Sequence, residues 1–254
     1  MNIRMPEGTS EHQGRVAVIT GGSGGIGNAI ADRLQLEGAS VTIMDLTPRA
    51  GGAKLDSSSS PISFYQADVA QEREVETTFK SVAAREGKID YLICCAAIFH
   101  ATPFLQLSGD EWRRTLDINL NGAFLCCREA IRRMRPRRFG RIILFSSMLA
   151  RTGGKNSAHY SASKGGVLGL ARSLALEVAG ENIRVNTISP GVTDTAQPRD
   201  HLSEEELYGR GAGIPLGRIG KVEDMVEGCL FLLSEDSSYF TGQDLRINGG
   251  ASLW

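Results

Sequence analysis

No stretch of the sequence is apolar for the roughly 20 residues a bilayer-spanning helix needs, and the first dozen residues hold no apolar core of the kind that heads a secretory signal. Charge of one sign is also lacking: 28 Lys and Arg stand against 29 Asp and Glu, for a formal net charge of −1. That balance argues against a nucleic-acid or membrane-surface partner. Cysteine is scarce and poorly arranged for cross-linking. Cys94, Cys95, Cys126, Cys127 and Cys229 are odd in number, form two adjacent pairs and never take a C-x-x-C spacing. Such a set suits neither a disulfide framework nor a zinc site, so no metal is expected. All five lie in apolar runs, where cysteine packs as a small hydrophobe, and a reducing cytoplasm is the expected compartment. There is no internal repeat and no linker that would divide the chain.

What is present is ordinary for a globular domain: 254 residues, 41% hydrophobic and 22% charged. Residues 1–13 read as a loose tail, and residues 14–254 as one domain. The densest charge is a run of arginines, Arg132, Arg133, Arg135, Arg137, Arg138 and Arg141, around Pro136. It reads as a solvated helix end, where cations oppose the helix dipole.

From Arg15 the order of elements becomes legible. The apolar run RVAVIT is followed by GGSGGIG, then by apolar residues at helical spacing from Ile26 to Leu36, and then by SVTIMD. That is strand, glycine-rich turn, helix, strand, a unit whose tight turn lets backbone amides approach a pyrophosphate. Asp45 closes the second strand, where its carboxylate can accept from an adenosine ribose and repel a 2′-phosphate. Neither Ser23 nor Gly24 is basic, so the expected cofactor is NAD rather than NADP. Residues 47–61 read as a surface loop or short frayed helix. Further strands are expected at 62–69, ending near Asp68, at 89–98, at 141–147, at 183–189 and at 244–248. Helices are expected at 71–86, at 108–134 as one helix or a pair, at 159–178 and at 222–233, with Trp112, Leu116, Phe124 and Ile131 as core candidates. Residues 192–217 form an irregular stretch with a short helix near 203–208, the length of a functional loop. This alternation predicts an α/β fold, a single doubly wound, Rossmann-type, seven-stranded parallel sheet with helices on both faces. Ligands of such a sheet bind at the carboxyl ends of its strands.

The chemistry centres on Tyr160 and Lys164. Four apart on a helix they share a face, and a nearby ammonium lowers a phenol's pKa from its usual value of about 10. Such a phenol can exchange a proton with an alcohol or ketone near neutral pH. Ser147, at the end of the fifth strand, is placed to hold the same substrate oxygen.

In this order the motifs resemble those of the short-chain dehydrogenase/reductase family, over residues 14–250. Thr20-Gly21, with Ser23, Gly24, Gly25, Ile26 and Gly27, is similar to its cofactor turn. Asp68-Val69 looks like its adenine-binding pair. Pro190-Gly191, with Thr193 and Thr195, looks like the segment that touches the nicotinamide carboxamide. Asn119, Ser147, Tyr160 and Lys164 match its catalytic set. The resemblance implies that Tyr160 is the general acid/base, that Lys164 lowers its pKa and binds the nicotinamide ribose, that Ser147 holds the substrate oxygen and that Asn119 fixes a water in a proton relay. It also implies a homotetramer, with the last strand at an interface. The chain departs from the family at Cys94-Cys95-Ala96-Ala97, where Asn-Asn-Ala-Gly is usual; Cys95, Ala96 and Ala97 are then expected to meet the cofactor through backbone atoms. Met148, Leu149 and Gly191, with Ser147 and Tyr160, are expected to border a small alcohol or ketone substrate. Phe99 and Phe104 are candidates for the wall or the core, and His100 and His159 for pocket wall or surface. The expected function is NAD(H)-dependent interconversion of a secondary alcohol and a ketone. Alternatives are an NADP(H)-dependent 3-oxoacyl-carrier-protein reductase and a non-catalytic dinucleotide sensor on the same fold.

Overall fold

The structure, a computed structural model, describes residues 10–49, 62–199 and 203–253. Seven strands form one sheet: β1 (Val16–Thr20), β2 (Ser40–Asp45), β3 (Ser63–Gln66), β4 (Tyr91–Cys94), β5 (Gly140–Phe145), β6 (Ile183–Pro190) and β7 (Asp244–Ile247). Their order is β3-β2-β1-β4-β5-β6-β7 and every pairing is parallel. The chain enters at β1, winds outward to β3, then returns across β1 to β4 and winds the other way. The reversal leaves a crevice between the carboxyl ends of β1 and β4, where ligands of such sheets bind.

The central strands are buried on both faces, as continuous apolar runs demand. On one face Val18, Leu92, Leu144 and Val185 pack beneath Phe79 and Val82 of α2 (Glu72–Glu86), Met134 of α4 (Gly122–Met134) and Val167 of α6 (Ala158–Val178). On the other, Ile19, Ile43, Ile93 and Ile143 pack against Ile30 and Leu34 of α1 (Gly25–Leu36) and Cys229 and Leu233 of α9 (Val222–Leu233). Alternate residues of each strand serve opposite cores.

The expected long helix at 108–134 is a pair. α3 (Gly109–Leu116), capped by Ser108, runs into a π-turn at Asp117–Asn121 and then into α4. Between β5 and α6 lies a short helix, α5 (Leu149–Thr152), in a segment that carries no apolar periodicity to announce it. Two short helices, α7 (Ala196–Arg199) and α8 (Glu204–Gly209), occupy the substrate loop, the second under a capping box from Ser203 and Glu206. Among the described residues no helix is long and apolar enough to cross a membrane.

Several expectations need correction. β3 stops at Gln66, because Asp68 Oδ1 turns back to accept from Ala70 N at 2.9 Å. β4 stops at Cys94, and Ile98 N donates at 2.8 Å to the Asn119 side chain instead of to a ladder partner. Phe124 is 45% exposed on the outer face of α4, not in the core; Ile131 is buried, whereas Trp112 and Leu116 are half-buried. Residues 10–13 are a packed turn: His12 is buried, with its Nδ1 3.2 Å from the Tyr91 hydroxyl. The rest of the expected tail, 1–9, and most of the expected loop at 47–61 lie outside the described residues. The arginine run is largely paired within the chain. Arg132 and Arg133 hold the buried Glu129, Arg135 meets Glu181 at 2.8 Å, and Arg141, itself buried, meets Glu235 at 2.9 Å.

Candidate active site

The turn after β1 is folded too tightly for any residue but glycine at two points. Gly21 has φ +65°, and a Cβ there would lie 2.5 Å from the Ala96 amide nitrogen. A Cβ on Gly27 would lie 2.5 Å from the Gly21 carbonyl oxygen. α1 then begins at Gly25 with no side-chain cap and no acid in its first turn. Its leading amides therefore face a site that favours an anion. Thr195 closes over this end: a Cβ on Gly25 would sit 3.3 Å from Thr195 Cγ2. Ser23 and Asp45 are joined directly, Ser23 N donating to Asp45 Oδ2 at 3.0 Å while Leu46 N donates to Oδ1 at 2.7 Å. The cradle fits a dinucleotide, with close backbone approach at the pyrophosphate and a carboxylate at the end of β2. One basic residue escaped sequence reasoning. Arg49 follows Asp45 by four but is tied to Asp32 of α1 at 2.6 Å. Asp68 accepts from Arg114 at 3.3 Å, and Val69 packs where a side chain on Gly122 would otherwise go.

The catalytic candidates gather at the carboxyl ends of β4, β5 and β6. Tyr160 and Lys164 lie on the buried face of α6, with Lys164 Nζ 5.8 Å from the tyrosine ring centre. Phe99 packs edge-on against that ring at 5.0 Å, which makes it a wall of the site. Lys164 Nζ donates to the Phe145 carbonyl at 2.7 Å. Burial pushes its pKa down to about 8, against the opposing pull of Cys95 and Cys94. Ser146 Oγ donates to the Lys164 carbonyl at 2.9 Å and Met148 N to the Pro190 carbonyl at 3.1 Å. These bonds tie the end of β5 to α6 and to β6. Ser147, 9% exposed, accepts from Leu149 N at 3.2 Å. Its hydroxyl thereby heads α5, and its proton remains free to donate.

Asn119 sits in the π-turn, a distortion frequent at functional sites. Its side chain is committed to structure: Oδ1 accepts from Ile98 N at 2.8 Å, and Nδ2 donates to the Ile98 carbonyl at 3.0 Å and to Ser163 Oγ at 3.1 Å. A small cavity runs behind these groups, lined by Thr20, Cys94, Ala96, Asn119, Phe145 and Lys164. Thr20, which opens the glycine turn, also supports the end of β4. Its carbonyl accepts from Cys95 N at 3.0 Å and its hydroxyl from Ala96 N at 3.4 Å.

On the substrate side, Gly191 N donates to the Ile247 carbonyl at 3.0 Å and Thr193 bridges to Gly220. Asp194 between the two threonines accepts from Arg199 at 2.8 Å and from the Tyr208 hydroxyl at 2.8 Å. Met148 and Leu149 are half-buried at the start of α5. Phe104 is 70% exposed, so it belongs to neither wall nor core. His100 is exposed, whereas His159 is wholly buried behind Tyr160, so it is neither pocket wall nor surface.

Comparison with known proteins agrees with this geometry. The family described as enoyl-(acyl carrier protein) reductase matches residues 21–252. A 3-oxoacyl-[acyl-carrier-protein] reductase of Chlamydia muridarum is 36% identical over 243 residues, 93% of this chain and 96% of the relative. A 2-dehydro-3-deoxy-L-rhamnonate dehydrogenase (NAD(+)) of Sphingomonas sp. is 35% identical over 247 residues, 96% and 97% of the two chains. The crystal structure of gox2181 superposes with a TM-score of 0.87 at 31% identity, covering 95% of this chain and 97% of that one.

Proposed function

The chain belongs to the short-chain dehydrogenase/reductase family of oxidoreductases, and we propose that within it the protein is an NAD(H)-dependent enzyme that interconverts a secondary alcohol and a ketone. The observation that carries this reading is the buried pair Tyr160 and Lys164 beside a dinucleotide cradle whose second strand ends in Asp45. Gly21, Ser23, Gly24, Gly25, Ile26 and Gly27 would hold the pyrophosphate, Asp45 the adenosine ribose, Asp68 and Val69 the adenine. Cys95, Ala96, Ala97, Pro190, Gly191, Thr193 and Thr195 would border the nicotinamide end. A bound nicotinamide supplies the hydride chemistry.

The chain's own residues handle the proton. Ser147 donates a hydrogen bond to the substrate oxygen and stabilises the negative charge that develops there. Tyr160 gives a proton to that oxygen during reduction and takes it during oxidation. At 5.8 Å from the ring centre the Lys164 ammonium stabilises negative charge on the phenol oxygen. With its pKa at about 8 it is still mostly charged at pH 7. Because the Asn119 side chain is spent on Ile98 and Ser163, its part in the relay falls to the main chain. Its backbone lies in the π-turn, beside the cavity it shares with Lys164.

Two relatives of almost equal identity, 36% and 35%, are named for different activities. The carrier-protein reading is therefore kept as the second. The internal pairing of the arginine run speaks for a small free substrate over an acidic carrier docked there. The same reading makes the protein a homotetramer, which sedimentation would test. The reaction is tested by Tyr160→Phe on a panel of ketones and alcohols followed at the nicotinamide absorbance. Turnover should fall about 10²–10⁴-fold while NADH still binds by fluorescence; retention of most activity would falsify the assignment.

A further inference from the structure

His159 immediately precedes Tyr160 in the first turn of α6 and is 0% exposed. Among the described residues, neither of its buried ring nitrogens has a hydrogen-bond partner. A buried polar atom left unpaired is costly, and each such group calls for an explanation. The Glu111 carboxylate on α3 approaches it, with Oε1 4.0 Å from Nε2, too far for a hydrogen bond. That same oxygen already accepts from the Thr102 hydroxyl. Thr102 N in turn donates to the Asn156 carbonyl at 2.8 Å, in the loop that leads into α6. The loop that carries Thr102 also carries Phe99, whose ring is set edge-on to Tyr160. His159, Glu111 and Thr102 thus sit where α3, α6 and the wall of the active site meet.

The groups that act electrostatically on the imidazole are Glu111 on α3, which favours its protonation, and His100 in the loop after β4, which opposes it. Burial is the larger influence and holds the ring neutral in ordinary conditions. Neutral, it has no strong reason to reach the carboxylate. Charged, it would close the gap, because the imidazolium adds coulombic attraction to the carboxylate beyond what a neutral N–H donor gains. The ring is attached one residue from Tyr160, so the first turn of α6 moves with it.

We propose that His159 is a positioning residue for Tyr160: its neutral, buried imidazole holds the start of α6 at its present distance from α3, and a proton on the ring draws it onto Glu111 and takes the tyrosine hydroxyl out of line with the substrate oxygen. This rests on the reading of Tyr160 as the proton donor.

The test uses the reductive direction, with NADH and ketones headed by ethyl acetoacetate and cyclohexanone. There Tyr160 must carry its proton and Lys164 is charged in acid, so neither group produces a loss of rate as pH falls. The wild-type kcat should fall as the pH drops below the ordinary histidine range, with KM little changed. His159→Asn, which cannot take up a proton, should lose the acid limb whatever its rate at pH 7.5. Glu111→Gln should move the limb to lower pH, since it removes the charge that favours the imidazolium. The proposal is overturned if the wild-type rate stays flat into acid. It is equally overturned if His159→Asn keeps the limb, or lowers kcat by the same factor at every pH while melting cooperatively. A second measurement does not depend on turnover. In NMR titrations the His159 ring resonance, identified by its loss in His159→Asn, should move together with the Tyr160 ring carbons. If no ketone is reduced at any pH, the reaction reading fails while this coupling still decides the proposal; independent titration of the two rings overturns it.

Discussion

Lys164 is 3% exposed and its ammonium donates to the Phe145 carbonyl. The protein holds this charge at a cost, and Lys164→Met should therefore stabilise the fold as it removes activity. A pKa lowered from 10.5 to about 8 corresponds to about 3 kcal/mol, at roughly 1.4 kcal/mol per pH unit. Losing the 2.7 Å bond to Phe145 returns about 1 kcal/mol of that. The net gain at pH 7 is about 2 kcal/mol, or a melting point raised by roughly 4–8 °C for a chain of this size. Linkage sets the pH dependence. Below about pH 8 the lysine is charged in both folded and unfolded chains, and the wild type bears the full cost. Between about 8 and 10.5 the folded lysine loses its proton while the unfolded one keeps it, so the wild type gains stability. Above 10.5 the cost has gone. Urea denaturation of the cofactor-free wild type and Lys164→Met, at pH 7 and again near pH 9.5, reads this directly. The variant should be the more stable at pH 7 and the difference should shrink at the higher pH. A variant less stable than wild type at pH 7, or a difference indifferent to pH, would refute the reasoning.

Three further outcomes follow from the cradle and its supports. Asp45→Ala removes the carboxylate that would repel a 2′-phosphate and should shift the ratio of NADPH to NADH affinity by about tenfold towards NADPH, equivalent to about 1.4 kcal/mol. Fluorescence titration measures it, and a wild type that already prefers NADPH would sink the cofactor assignment. Gly27→Ala places a methyl 2.5 Å from the Gly21 carbonyl oxygen, and such overpacking costs about 1–3 kcal/mol. Dinucleotide binding should weaken tenfold or more while the circular dichroism spectrum is kept. Asn119→Ala strands the Ile98 amide and carbonyl and takes one donor from the Ser163 hydroxyl. It should lower stability by about 1–3 kcal/mol and speed hydrogen exchange at the Ile98 amide.

The parts legible in the sequence are those whose signal is local. β1, β2 and the turn between them are announced by apolar runs around glycines, and Tyr160 with Lys164 by helical spacing alone. Strand order follows once the elements alternate, because parallel crossovers leave few topologies. What stayed hidden depends on distant partners. His12 is buried because Tyr91 lies 79 residues along the chain, and nothing near residue 12 says so. Arg141 looked like one more surface arginine, yet it is 2% exposed and bound to Glu235, 94 residues away. Phe124 looked like core from its chemistry alone, but helical phase turns it outward. The ends of β3 and β4 were misjudged because side-chain acceptors, Asp68 and Asn119, compete with the ladder for backbone amides.

The departure at Cys94-Cys95-Ala96-Ala97 shows how a site can keep its geometry after losing two side-chain amides. The backbone bonds there remain: Cys95 N and Ala96 N both reach Thr20. Asn119 grips Ile98 through its amide and its carbonyl together, so the loop is pinned from the helix side. Ala97 is not among the positive-φ residues, so alanine replaces glycine there without strain. The two cysteines divide between the cores. Cys94 faces Cys126 and Cys127 of α4, whose thiols, with the Thr20 hydroxyl, hydrogen-bond it and pull its pKa well below the usual range. Cys95 meets the side of the sheet that holds Cys229, and burial pushes both thiols up. Four buried cysteines and one half-buried are thus complementary pieces of one packing solution. The strand end has exchanged a polar network for a soft, compact one, and the cavity behind Lys164 has Cys94 as part of its wall. Because Cys94 lines the same cavity as Lys164, substitutions at Cys94 should be felt first around Lys164 and only through it in catalysis.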